Sequence, residues 1–135
     1  MNDRELLSAF EASSLSPGTF GHRAHVRVAW AYLQELPVGD ALERVSEGLR
    51  RLTRAFGKEG MYHETVTVAY VLLINERIER TGRGGTWEDF EAQNSDLFDR
   101  DRPILERYYK PETLKSDLAR RIFVFPDRIG GDEIV

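Results

Sequence analysis

The chain has 135 residues, 41% of them hydrophobic and 31% charged, with 19 Lys and Arg against 23 Asp and Glu for a formal charge of -4. This is the length and composition of one soluble globular domain that can bury a core without staples. The acidic balance and scattered basic residues argue against a nucleic-acid binder, and the lack of cysteine excludes disulfides, thiolate nucleophiles, iron–sulfur clusters and thiolate zinc sites.

The charged opening, Met1 to Glu5, does not lead into an apolar segment, so no signal peptide is expected. The longest apolar run is far short of the roughly 20 residues of a membrane span. A cytoplasmic protein without membrane association follows. Arg4 to Glu11 carries Leu6, Leu7 and Phe10 at helical spacing. Ser13 to Gly18 is a turn by composition, and Thr19 is placed to cap a second helix reaching about Leu36. On that helix His22, His25, Val26, Ala29 and Leu33 share one face, with Arg23, Arg27 and Gln34 toward the other.

Pro37 to Asp40 breaks the chain, and Asp40 is a candidate cap for a third helix. Its apolar stripe is Ala41, Leu42, Val45, Leu49, Leu52 and Phe56, and Gly57 to Gly60 ends it. The next helix spans about Met61 to Arg80. Its run from Val66 to Ile74 holds no charged residue, so it has no solvent face and belongs at the centre of the fold. Thr81 to Gly85 is a loop without the Gly-Lys-Ser/Thr ending of a phosphate loop.

Thr86 caps a short helix through Trp87 and Phe90, with Asp89 approximating a capping box. Pro103 suits the first turn of a helix through Tyr109, and Pro111 that of one through about Ile122. Phe123 to Pro126 is extended, and residues 127–135 read as a frayed tail. No strand alternation is long enough to build a sheet. The expected fold is all-α: a single-domain bundle of about five to seven helices over 1–135, with its core at about 3–125.

All three histidines fall in two short motifs, Phe20-Gly21-His22-Arg23-Ala24-His25 and Tyr62-His63-Glu64-Thr65. Short connections favour antiparallel neighbours, so the second and fourth helices should run parallel and bring both motifs to one end of the bundle. Three chemistries fit that juxtaposition. His22, His25 and His63 could ligate a divalent metal (zinc, iron or manganese), with Glu64 as a further ligand or base. His63 and Glu64 could act as a catalytic acid–base pair without metal. Two facing helix N-termini could instead capture a small anion.

The leading expectation is a His-rich site that binds a divalent metal and acts on a small polar molecule or anion. Tyr62, Tyr70, Tyr109 and Arg120 are candidates to contact that molecule. Against these stand a local capping role for Tyr62 to Thr65 and a non-catalytic interaction or regulatory module with structural histidines. Trp30, Tyr32 and Tyr70 also suit a core, and the arginines of 116–121 a solvated helix face. An oligomer is compatible with the composition.

The segments Phe20 to Trp30, Tyr62 to Thr65 and Tyr108 to Leu114 carry Phe-x-His-x-x-His-x-Arg-x-Ala-Trp, Tyr-His-Glu-Thr and Tyr-Tyr-x-Pro-Glu-x-Leu. In these motifs the sequence resembles an uncharacterised bacterial family of small helical proteins, over about Phe20 to Phe125. The resemblance implies that the three segments form one design, the third closing over the first two. It implies no activity.

Overall fold

Asn2 starts the first helix through a full capping box: its side chain accepts from the Glu5 N–H at 2.8 Å, and Glu5 accepts from the Asn2 N–H at 2.9 Å. In the computed structural model, which describes residues 1–16 and 18–128, α1 spans Asp3–Glu11, α2 His22–Glu35, α3 Val38–Ala55 and α4 Glu64–Thr81. The shorter helices α5 (Trp87–Gln93), α6 (Pro111–Leu114) and α7 (Asp117–Arg121) follow, with 3₁₀ turns at Glu59–Met61, Ser95–Phe98 and Ile104–Arg107. The described residues contain no strand, and the fold is the all-α bundle expected. No helix among them is long and apolar enough to cross a membrane.

Several helix ends differ from the expected ones. Thr19 does not cap α2; its hydroxyl bonds within the preceding turn to Ser16, and Gly21 is the N-cap without a side-chain bond. Asp40 lies inside the first turn of α3, which starts behind Pro37. There it favours the positive helix end by charge, without capping it. The helix expected through Ile122 is instead two short pieces: Ser116 leaves helical geometry and caps α7 by accepting from the Ala119 N–H at 3.1 Å. Ser, Thr and Asn compete with the helix in this way because their side chains offer the backbone a local partner. Thr86 does cap α5, accepting from the Asp89 N–H.

The end of α3 is a Schellman turn. Gly57 adopts φ +69°, its N–H donates to the Arg54 carbonyl at 3.0 Å, and the Lys58 N–H donates to the Thr53 carbonyl at 2.7 Å. The positive φ is why glycine stands there. Chain reversal at this point sends α4 back along α3.

α4 packs against α2, α3 and α7, the central position its composition requires. Thr65, Val71, Ile74 and Ile78 are almost fully buried, while Val66, Tyr70 and Leu73 are half-buried and Leu72 is exposed. The helix is therefore central without being enclosed all round. Beside it, Phe10 inserts against Gly48 of α3 so closely that a Cβ on Gly48 would lie 2.1 Å from a ring carbon. Phe10 in turn stacks on Phe20 with ring centres 5.6 Å apart, and Trp30 meets Trp87 at 5.7 Å.

The C-terminal segment folds back over the head of α4. The Thr65 hydroxyl donates to the Ile122 carbonyl at 2.8 Å and accepts from the Val124 N–H at 3.1 Å. Part of the expected frayed tail is tied down: Asp127 accepts from the Lys110 N–H at 2.9 Å and from the Thr113 hydroxyl, and the Arg128 N–H donates to the Tyr108 carbonyl at 2.8 Å. Residues 129–135 of that expected tail lie outside the described residues.

Candidate functional site

A cavity of about 250 Å³ opens between α2, α3 and α4. Its wall takes His22, His25 and Ala29 from the start of α2, Leu49, Leu52 and Thr53 from the end of α3, and His63, Tyr70 and Ile74 from the first half of α4. Parallel α2 and α4 with α3 reversed is the arrangement that brings those three stretches to one end. Both histidine motifs thus face a common space.

The histidines reach it with different freedom. His63 is the N-cap of α4: its Nδ1 accepts from the Val66 N–H at 3.1 Å, so the ring proton sits on Nε2, which donates to the Leu114 carbonyl at 2.7 Å. Both nitrogens are occupied. The Nε2 of His22 lies 2.8 Å from the Leu97 carbonyl, and its ring stands edge-on to Tyr70 with centres 4.8 Å apart. A carbonyl only accepts, so His22 carries its proton on Nε2 and keeps a free lone pair on Nδ1 alone.

The His25 imidazole makes no hydrogen bond among the described residues and lies against Phe20, ring centres 4.5 Å apart. Its pKa is lowered to about 4, first by burial and then by the neighbouring His22. The residue nonetheless keeps much accessible surface. Neighbouring protein atoms crowd the ring and weaken the hydration that its cation needs, although part of the residue is accessible.

The metal arrangement expected from the sequence is therefore not assembled. His63 has no lone pair left, and among the described residues no group of three His, Asp or Glu side chains is placed to hold an ion. Glu64, expected as catalytic carboxylate or ligand, is not part of the cavity wall. It accepts from the Tyr62 hydroxyl at 2.5 Å and from Arg50 at 3.2 Å, and the Arg50 guanidinium lies 4.8 Å from the centre of the Tyr62 ring. That cluster clamps α3 to the head of α4, with the carboxylate on the positive end of the helix. His63 and Glu64 do not form an acid–base pair.

Of the four residues expected to contact a small molecule, Tyr62 and Tyr70 line the cavity. Tyr70 makes no hydrogen bond through its hydroxyl among the described residues, and burial pushes its pKa up to about 12, so it is a neutral donor. Tyr109 is not available: it is 1% exposed, and its hydroxyl donates to the Val124 carbonyl at 2.6 Å. Arg120 is exposed beside Gly60 and outside the cavity wall.

Sequence reasoning missed Lys58 and Met61 at the rim, Phe56 and Thr53 in the wall, and Thr65 as the latch for the C-terminal segment. Thr65 carried a signal, being a hydroxyl at the head of an otherwise apolar helix. The others carried none, because a loop residue's neighbours depend on how the helices cross. No protein-family model, no curated protein and no solved structure matches the chain.

Proposed function

We propose that the protein is a small-molecule-binding module whose site is the cavity between α2, α3 and α4. The observation that carries this reading is a cavity of about 250 Å³ with an aliphatic floor and two polar groups, the His25 imidazole and the Tyr70 hydroxyl, that make no hydrogen bond among the described residues. Such convergence of few polar groups on an apolar concavity is the usual form of a ligand site. Its size exceeds the roughly 150 Å³ of a cavity that accepts benzene. If it were a sealed void, a coefficient of about 24 cal/mol per Å³ would put its cost at about 6 kcal/mol, comparable to a whole domain's stability. The open mouth and water reduce that cost, but close packing would remove it altogether.

Binding is favoured over acid–base catalysis because a His25 with a pKa of about 4 is a weak base at pH 7. The shared-metal reading of the same histidines would require His63 to surrender both its cap and its bond to Leu114. The composition suits a cytoplasmic setting, which we adopt.

The test is ligand-observed NMR with small aromatic probes such as benzyl alcohol and indole. Wild type should bind them, and both Ala29→Leu, which fills the floor, and Thr53→Phe, which blocks the half-buried wall, should lose them while keeping their helical circular dichroism. Absence of binding at millimolar probe, or binding unchanged in both folded variants, overturns the reading.

A further inference from the structure

We infer that the ligand of this cavity is a monocarboxylate with a compact apolar body. The inference rests on the binding reading above and adds the chemical class. Its first support is the charge inventory of the wall. Among the described residues no Asp or Glu lines the cavity, and Lys58 is the one permanently charged group that does. Of the carboxylates next in sequence to wall residues, Glu64 is engaged by Tyr62 and Arg50, and Glu59, between Lys58 and Met61, is exposed to solvent; neither lines the cavity. A cationic ligand would be desolvated without a counter-charge, which is the costly case.

The second support is the polarity gradient. The floor is built from Ala29, Leu52, Val71 and Ile74, each no more than 2% exposed. Lys58 and Met61 are exposed at the rim, and His25 keeps accessible surface in the wall. A ligand that places hydrocarbon on the floor therefore presents its other end to Lys58 and His25. α2, of 14 residues, opens toward this end with its positive pole and no side-chain cap, whereas the pole of α4 already carries the Glu64 carboxylate and the His63 cap. α3 brings its negative pole to the same place, but the Gly57 and Lys58 N–H groups already cover the carbonyls of Arg54 and Thr53. The field left over favours one negative charge. A dianionic phosphate would face a single lysine and an apolar floor, so a carboxylate fits better.

A bound carboxylate also changes the situation of His25. The titratable groups lining the cavity with it are His22 on its own helix, His63 and Tyr70 from α4, and Lys58 and Tyr62 from the connection before α4; α3 contributes none. None of these offers His25 an anion, whereas the ligand would, and an opposite charge restores the protonated form. Binding should therefore take up protons.

The experiment titrates full-length protein with benzoate and with benzamide, which share shape but not charge, by calorimetry at pH 6 and 8 in two buffers of different ionisation heat. Benzoate should bind about tenfold tighter than benzamide at pH 6, with proton uptake and weaker binding at pH 8. Lys58→Met, an exposed substitution, should weaken benzoate about two- to five-fold, the span of an exposed ion pair, and leave benzamide unchanged. His25→Gln should abolish the proton uptake. Benzamide binding as well as or better than benzoate overturns the carboxylate inference and leaves the cavity as a neutral-ligand site. Benzoate favoured without proton uptake overturns the role given to His25. Neither compound binding, with the aromatic probes also silent, overturns the binding reading itself.

Discussion

Replacing His63 separates a helix cap from a metal ligand, because the two roles move different observables. In His63→Ala the Val66 N–H loses its acceptor, and the Leu114 carbonyl loses its donor. Loss of an N-cap costs about 1 kcal/mol. Loss of a neutral hydrogen bond costs about 0.5–1.5 kcal/mol net, and the half-buried Leu114 recovers part of it from water. The sum is about 1.5–2.5 kcal/mol, equivalent to a melting-temperature fall of roughly 5–9 °C for a domain of this size. His63→Asn restores a side-chain acceptor at the cap but is too short to reach Leu114, so it should recover about 1 kcal/mol. Urea titrations followed by circular dichroism should give the order wild type, His63→Asn, His63→Ala, with an unchanged denaturant slope. Zinc, manganese and chelator should leave the wild-type melt where it was. A silent His63→Ala, an Asn variant no better than Ala, or a wild-type melt raised by metal and lowered by chelator would each refute the capping account.

Three further outcomes are expected. Gly48→Ala should destabilise by up to about 2 kcal/mol. The added Cβ would collide with Phe10 at 2.1 Å, and Phe10 is fully buried against Phe20 and Tyr32. Overpacking of about 1–3 kcal/mol outweighs a helix-propensity gain of about 1 kcal/mol; a thermal melt showing stabilisation would mean that Phe10 can move aside. Ile74→Ala, at a position 0% exposed, should cost about 2–5 kcal/mol, and half-buried Leu73→Ala less; equal losses in urea titrations would contradict the orientation of α4.

Stability should fall from pH 6.5 toward pH 4, because the unfolded chain protonates His25 while the folded state, with its pKa near 4, does not. His25→Gln should flatten that slope in pH-dependent urea titrations. Below this range Asp96 adds a second loss. Its pKa is held down by the Arg77 hydrogen bond, so its contribution is present above the ordinary carboxylate range and disappears as pH falls through the lowered value. An Asp96→Asn variant with unchanged acid sensitivity would remove Asp96 from that account.

The sequence by itself determined the all-α class and the central helix. Helical spacing of Ala41, Val45, Leu49 and Leu52, and the uncharged run Val66 to Ile74, express burial in a code of local period. The same local logic located the Gly57 stop, the Thr86 cap and the common end of the bundle to which both histidine motifs come, though not as a cluster that could share an ion, since short connections leave few ways to arrange three helices. Tertiary structure alone decided what each polar group does there. His63 and Glu64 are adjacent in sequence, yet one caps the helix toward Leu114 and the other turns to Arg50 on α3. Tyr62 and Tyr109 are both tyrosines in the resembling motifs, yet one lines the cavity and the other spends its hydroxyl on Val124. Hydrogen-bond partners 14 to 51 residues away, as Arg50 is from Glu64 and Leu114 from His63, leave no periodic trace in a chain. A polar side chain's role is set by which lone pair and which proton the fold leaves unpaired, and that is fixed only when the helices have packed.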